Sequence, residues 1–529
     1  MSHRIFILLL FTCLQIYNVK SGNAFYSEST FFTEEDTYFL HTVEKGQTVF
    51  SIASMYRVSV DDIYKLNPRS KTLIKVGEQL KIPQVSGSYI YHVIQPQETL
   101  YALSQRYQIK GEDILAVNPG LSIQTFQIGK VIRIPVNRVN TPVQSGNDEI
   151  NRLKINSLLI QPLPTQTIKT IQVALLLPFG LKDNGNSENN SVDRMVEYYE
   201  GFLLALKTLK KKGVSVDLQV YDIGSTAQEI SDVLKKEEMQ NVHLIIGGLS
   251  EEQIRIISRF SNERKIPYVI PFTSMSNEPF NNPMTFQVNT PQAVLYAKAS
   301  AAFINRYRNY HIILVSGDKN TSNQSEFINL LSNDLQEKRI PFKTISFKQF
   351  SDVNLVSELN QYGDNVFVPD DDSPETIEKM ITVLNAIKKN YPEYSISLFG
   401  YPRWQTYASK YSDDFSHLHI SFFSVFFSDA TSPEAGDFYD TFYKWYGRKI
   451  SNNFPKFGIL GYDVGMYFLQ AIYIHGTSFD KEINDMRYKG LQTDFYFERV
   501  NNWGGFINTN LFVVNYNSDS SITKTSIKQ

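Results

Sequence analysis

The sequence predicts an α/β protein in two parts. Two small β-α-α-β modules come first, followed by a bilobed α/β domain whose parallel sheets are flanked by helices. Three observations predict this. The pattern "HTVEKGQTVFSIASMY" at His41 returns as "HVIQPQETLYALSQRY" at His92. A polar, proline-bearing stretch over 137–168 separates the repeat from the rest of the chain. From Ile171 onward, short apolar runs alternate with segments of helical period.

Before the modules, residues 1–24 read as a signal peptide. Arg4 supplies a positive start, "IFILLLFTCLQIY" an apolar run, and Gly22 and Ala24 the small residues of a cleavage site. The run is short for a membrane span, and no later apolar stretch reaches the roughly 18 residues that a span needs. A soluble exported chain in the periplasm or cell envelope is expected. Cys13, the only cysteine, falls in this segment, so the mature chain would carry no disulfide or thiolate metal site. Lipid attachment at Cys13 is the alternative, although "LLFTC" matches the lipoprotein pattern poorly. The 529 residues suit two to four domains at roughly 150 each. With 52 basic and 54 acidic side chains, the net charge is −2, which leaves no basic footprint for nucleic acid.

The repeat holds over many positions. His41, Thr48, Phe50, Ile52, Tyr56, Ile63, Asn67 and Pro68 return 51 residues later as His92, Thr99, Tyr101, Leu103, Tyr107, Ile114, Asn118 and Pro119. One further residue is inserted after Asn-Pro, in a loop, where two copies of one fold tolerate it. "YFLHTV" and "YIYHVI" read as strands. Thr48 and Thr99 read as N-caps of helices whose apolar residues follow helical spacing. "SVDDIYKLN" and "KGEDILAVN" read as second helices ending before proline, and "QLKIP" and "VIRIP" as closing strands. With no cysteine or carboxylate cluster nearby, His41 and His92 read as half-buried strand histidines rather than metal ligands.

The combined run, V-x-x-G-Q-T-V with I-A, then D-D-I-x-x-L-N-P and G-x-x-L-x-I-P, resembles the LysM module over residues 38–84 and 89–136. The second copy departs from it at Gln97-Glu98. The resemblance implies binding of N-acetylglucosamine-containing glycans such as peptidoglycan, in a shallow groove between two loops. In the first copy those loops would be Gly46, Gln47, Thr48 and Val49 facing Asn67, Pro68 and Arg69. In the second they would be Glu98, Thr99 and Leu100 facing Asn118, Pro119 and Gly120. A purely structural reading, with the threonines as caps and the asparagines as helix ends, stands beside it.

Residues 137–168 lack clear periodicity and read as a linker. Beyond them, "IQVALLLPF", "VSVDLQVYDI", "VHLIIGGLS", "IPYVIPF", "YHIILVSGD", "FKTISF", "DNVFVPDDD" and "SISLFGY" read as strands. Helical segments such as "MVEYYEGFLLALKTLKKKG" and "EEQIRIISRFSNERK" lie between them. Such alternation implies parallel sheets covered on both faces, and residues 169–529 are too many for one sheet. The order of signals is similar to the type I periplasmic-binding-protein fold of branched-chain amino acid receptors, carried by "VALLLPF", "YYEGFLLAL", "IIGGLSEEQ", "IPYVIPFTSMSN" and "GILGYDVGMYFLQAI".

The cleft that this resemblance implies would use Ser250, Glu251, Thr273, Ser274 and Arg403. Thr273 and Ser274 match the hydroxyl-bearing turn of those receptors. Glu251 stands where a small hydroxyl would meet a ligand carboxylate, and Arg403 where an acid would meet its ammonium. Both departures argue against a free amino acid. Glu251 at a helix start is expected to occupy the anion site itself.

Other chemistry finds little support. Ser373 and Pro374 in "PDDDSPE" read as a helix start, not a calcium loop. His417 and His419 read as alternating on a strand, without a third ligand for zinc. No catalytic residue, metal or cofactor is assigned. The chain reads as a peptidoglycan-binding envelope protein whose bilobed domain recognises a small ligand or a protein partner. A solute receptor of an ABC-type uptake system and a regulator of cell-wall synthases remain alternatives.

Overall fold

The computed structural model describes residues 37–71, 74–84, 87–136, 148–160, 168–180, 190–224, 226–317, 324–483, 486 and 488–527. The segment 1–24, with Cys13, lies outside the described residues.

Each module is a two-stranded antiparallel sheet under two helices. Tyr38–Thr42 pairs with Gln79–Pro83, and Tyr89–Val93 with Val131–Pro135. The helices are Val49–Tyr56 and Val60–Leu66 in the first module, Leu100–Tyr107 and Gly111–Ala116 in the second. Thr48 Oγ1 accepts from the Ser51 N–H at 3.0 Å, and Thr99 Oγ1 from the Ala102 N–H at 3.1 Å, each satisfying a helix-start donor. Ile52, Ile63, Leu80 and Ile82 fill one core; Leu103, Ile114, Ile132 and Ile134 fill the other. Each such burial is worth about 1.5–3 kcal/mol.

The stretch 137–168 holds more than a linker. Asp148–Ser157 is a helix, and Ile155, Leu158 and Leu159 pack on the second module's core. Those three residues sit at i, i+3 and i+4, a helical stripe too brief to stand out among polar neighbours.

The bilobed domain contains two seven-stranded sheets. The first runs, from one edge, Phe497–Arg499, Phe506–Asn508, Thr285–Gln287, Tyr268–Ile270, Leu244–Gly247, Ile171–Leu177 and Val216–Asp222. The second runs Phe342–Ser346, His311–Ser316, Asp364–Pro369, Ser395–Gly400, Ser421–Ser424, Phe512–Tyr516 and Ile522–Ser526. Pairings are parallel except Phe497–Arg499 at one edge and the last two strands of the second sheet. The chain enters the second lobe after Thr285–Gln287, returns to the first after Ser421–Ser424, and ends in the second, so both lobes mix distant segments.

The motifs "YYEGFLLAL" and "GILGYDVGMYFLQAI" meet as one helix pair, Asn190–Lys211 against Phe457–His475. A Cβ on Gly201 would come within 1.7 Å of Gly458 O, and one on Gly461 within 2.0 Å of Tyr198 O. Only glycine lets these backbones approach so closely. The segment Phe457–Lys481 is long and apolar enough to cross a membrane, unlike what the apolar runs predict, but most of it is buried inside the first lobe. The histidines at 417 and 419 do not share a strand. His417 ends the helix Ser412–His417, and His419 takes a left-handed φ of 45° before the strand begins.

The modules dock on the first lobe. Trp503, 2% exposed, lies 5.9 Å from the Tyr56 ring and 5.6 Å from the Tyr91 ring, and the Arg133 guanidinium sits 4.5 Å over it. Asn281 donates to Ser54 O at 2.9 Å and accepts from Arg57 Nε at 3.1 Å and Arg133 Nη2 at 2.8 Å.

Candidate functional site

The two module loops are built alike. In the first, the Tyr56 hydroxyl lies 2.8 Å from His41 Nδ1, and His41 Nε2 lies 2.8 Å from Gln47 Oε1. Gln47 Oε1 also accepts from the Glu44 N–H at 2.9 Å. In the second, Tyr107, His92 and Glu98 repeat the chain at 2.9 and 2.6 Å, and Glu98 also accepts from the Gln95 N–H at 2.8 Å. Burial lowers the pKa of both histidines, against the pull of Gln47 and of Glu98. Each is therefore a neutral imidazole that accepts from tyrosine at Nδ1 and donates at Nε2. Burial pushes the Glu98 carboxyl up, but the Gln95 N–H, the His92 bond and the nearby Arg106 outweigh it and hold it below its usual range. The histidines shape the loop; they are buried rather than half-buried.

The asparagines are pins. Asn67 Nδ2 donates to Ile63 O and Lys81 O, both at 2.8 Å, and its Oδ1 accepts from Lys81 N at 2.9 Å. Asn118 does the same with Ile114 O, Arg133 O and Arg133 N. Their amides tie a helix end to the closing strand, so the groove wall is left to backbone and neighbouring side chains. Val49 and Leu100 belong to the cores, while Pro68, Arg69 and Pro119 are exposed.

The surroundings of the loops differ. Gly120 N donates to Asn502 O at 2.8 Å, and a Cβ there would come within 2.5 Å of Arg499 Cδ. The Tyr101 N–H, an orphan donor of the first helical turn, is taken by Asn156 Oδ1 at 3.1 Å. The second groove is thus covered on one side by the first lobe and bounded on the other by the helix 148–157. In the first module, Gly46–Thr48 instead line a cavity of about 930 Å³ shared with both lobes. Glu251 and Ser274 of the first lobe and Tyr296 and Glu326 of the second also line it. Phe50, 60% exposed, reaches it as well. Sequence reasoning missed Phe50 as a site residue, although the repeat already aligned it with Tyr101.

The residues predicted for the cleft are only partly brought together. Glu251 and Ser274 share the cavity, whereas Arg403 is exposed and does not line it. Thr273 Oγ1 accepts from the Met275 N–H at 3.1 Å. Ser250 is the N-cap of the helix Glu251–Arg264, its hydroxyl accepting from Gln253 N at 3.2 Å. Gln253 Oε1 accepts from the N–H groups of Leu249 and Ser250, at 2.9 and 3.1 Å. The protein does fill that helix start with its own side chain, but the side chain is Gln253, because the third helical residue reaches back where the first cannot. Glu251 points to the cavity. Among the described residues no group of three or more His, Cys, Asp or Glu side chains is placed to hold a metal ion.

Residues 41–83 and 92–135 match the family model described as LysM domain. The two modules are LysM domains. Over 97 residues the chain is 38% identical to the Bacillus subtilis protein named "Putative sporulation-specific glycosylase YdhD", covering 18% of this chain and 22% of that one. It is 29% identical over 90 residues to the Staphylococcus aureus "Probable autolysin SsaALP", covering 15% of this chain and 34% of that one. The chain therefore spans about a fifth to a third of these relatives. Among solved structures, the branched-chain amino acid substrate-binding protein LivJ of Streptococcus pneumoniae, in complex with isoleucine, has a TM-score of 0.38 at 13% identity, covering 68% of this chain and all of that one. A branched-chain amino acid ABC transporter periplasmic ligand-binding protein from Burkholderia xenovorans has 0.45 at 10% identity, covering 68% of this chain and 94% of that one. The bilobed architecture itself rests on the two seven-stranded sheets.

Proposed function

We propose that this protein binds peptidoglycan in the cell envelope through its LysM domains, chiefly the first, and that its bilobed domain recognises a ligand held beside that domain. The observation that carries this reading is the position of the Gly46–Thr48 loop and Phe50, which line a cavity shared with both lobes, whereas in the second domain Gly120 is tied to Asn502 and the Tyr101 N–H to Asn156. Export by a cleaved signal peptide is part of the same proposal.

Co-sedimentation of the full chain with purified sacculi tests it. The double variant Phe50→Ala/Arg69→Ala is expected to weaken retention at least about tenfold, equivalent to about 1.4 kcal/mol. Tyr101→Ala in the second domain is expected to change it by less than about threefold. Wild-type chain that stays in the supernatant would end the glycan reading.

The uptake-receptor alternative is disfavoured because the helix start that would greet a ligand carboxylate is already capped by Gln253. A bound ligand stabilises the folded state, so thermal melts report it. No shift is expected with millimolar leucine, isoleucine, valine, glutamate or glutamine. A clear shift with any of them would restore uptake.

A further inference from the structure

The cavity beside the first LysM domain has walls from three sources, and their chemistry differs from wall to wall. The LysM wall contributes the Gly46–Thr48 loop and Phe50. At one corner, Lys45 from that domain and Lys298 from the second lobe both line the space. Lys298 is largely buried, and its Nζ donates to Thr509 O at 2.7 Å. Burial lowers its pKa, and the Lys45 charge pushes the same way against Glu498. Two ammonium groups from separate domains thus meet near the Glu498 carboxylate, which lines the same cavity, and an anion there would have to share them with Glu498. Elsewhere on the lining, carboxylates come from the starts of two helices, Glu251 in the first lobe and Glu326 in the second. Both are exposed, and Glu326 accepts from Gln292 Nε2 at 3.2 Å.

The volume of about 930 Å³ is near the top of the roughly 300–1,000 Å³ that small-molecule sites occupy. A single sugar ring or amino acid would leave most of it filled with water. An occupant that reaches from the LysM loop to both lobes meets charges of both signs, Lys45, Lys298 and Arg499 beside Glu44, Glu251, Glu326 and Glu498.

We propose that this cavity is a composite site for a peptide-bearing N-acetylated amino sugar, with the sugar on the Gly46–Thr48 loop, a peptide carboxylate at Lys45 and Lys298, and a peptide amine at Glu251 and Glu326. This inference rests on the glycan reading above and deepens it. The LysM domain selects the sugar, and the lobes select what is attached to the sugar. The departures in the cleft then have a purpose, since Glu251 faces an amine rather than a free amino acid's carboxylate.

Calorimetry on the full chain with three probes tests the assignment: a disaccharide–tetrapeptide released from peptidoglycan, a peptide-free N-acetylglucosamine oligomer, and the free tetrapeptide. The disaccharide–tetrapeptide is expected to bind at least about tenfold more tightly than either of the others. The double variant Glu251→Gln/Glu326→Gln should remove that preference and leave affinity for the peptide-free oligomer within about twofold. Equal affinity of the wild type for the peptide-bearing and peptide-free probes would overturn the composite site while the glycan reading stands. So would a preference that survives in the double variant, which would place the peptide elsewhere. If no probe binds and the sacculi are not retained either, both readings fall together.

Discussion

The two LysM domains share their strands, caps, asparagine pins and Tyr-His relay, yet they meet different surroundings. In the first, Gly46–Thr48 and Phe50 line a large cavity. In the second, Gly120 is tied to Asn502, Tyr101 N to Asn156, and Glu98 to His92 and Arg106. A fold made for a groove can therefore be used twice in one chain for different ends. Both copies help seat the pair on the first lobe, the first through Ser54, Tyr56 and Arg57 and the second through Tyr91, Gly120 and Arg133, but the first presents its strand–helix loop to the large cavity.

The strongest way to break this contrast is to remove what seats them. Trp503→Ala deletes the ring that Tyr56, Tyr91 and Arg133 share, and is expected to cost about 3–5 kcal/mol in chemical denaturation. Limited proteolysis should then cut between the modules and the lobe sooner than in the wild type. If stability and cleavage both stay unchanged, the docking through Trp503 is not what orients the loops.

A smaller effect is expected at the pins. Asn118 is fully buried, so Asn118→Ala leaves Arg133 N and O without partners and should cost about 1–3 kcal/mol. Asn67 is half-exposed, and water can replace its amide, so Asn67→Ala should cost less than about 1 kcal/mol. Matching urea midpoints for the two variants would show that the second domain is no more buried than the first.

The smallest expected effect is a pH-dependent one. His41 has its pKa lowered by burial, so the unfolded chain takes up more protons below its ordinary 6.5. Stability from this group is accordingly present above about pH 6.5 and lost as pH falls. Its partner Gln47 is neutral, whereas His92 has the ionised Glu98 to receive a charge. Gln47→Glu would give the first domain the second domain's relay and raise the His41 pKa. The stability of the variant relative to the wild type should then improve by about 1 kcal/mol as pH drops from about 8 to 5.5. Thermal melts of the full chain at both pH values check this, and a constant gap would mean that Glu98 and Gln47 are equivalent.

Much of this architecture could be read along the chain because its causes are local. Thr48 and Thr99 cap helices by accepting from N–H groups three residues on, and Val49, Ile52, Ala53 and Tyr56 recur at the spacing that builds one apolar face of the first helix. The alternation after Ile171 implied two covered sheets for the same reason. The Ser250–Gln253 capping box is equally local, a serine followed three residues later by a glutamine. What lay beyond sequence was the fate of each loop. Gly120 is covered by Asn502 and Arg499, and Gly46 lies against Val294 at the rim of a cavity that Glu251 and Glu326 also line, residues hundreds of positions away in two lobes. The helix 148–157 and the turn after it likewise depend on a core made elsewhere, on which Ile155 of the helix and Leu158 and Leu159 of the turn are laid. Periodicity records which face of a segment is apolar. Which distant surface covers that face, and which loop is left open to solvent, is decided only when the whole chain has packed.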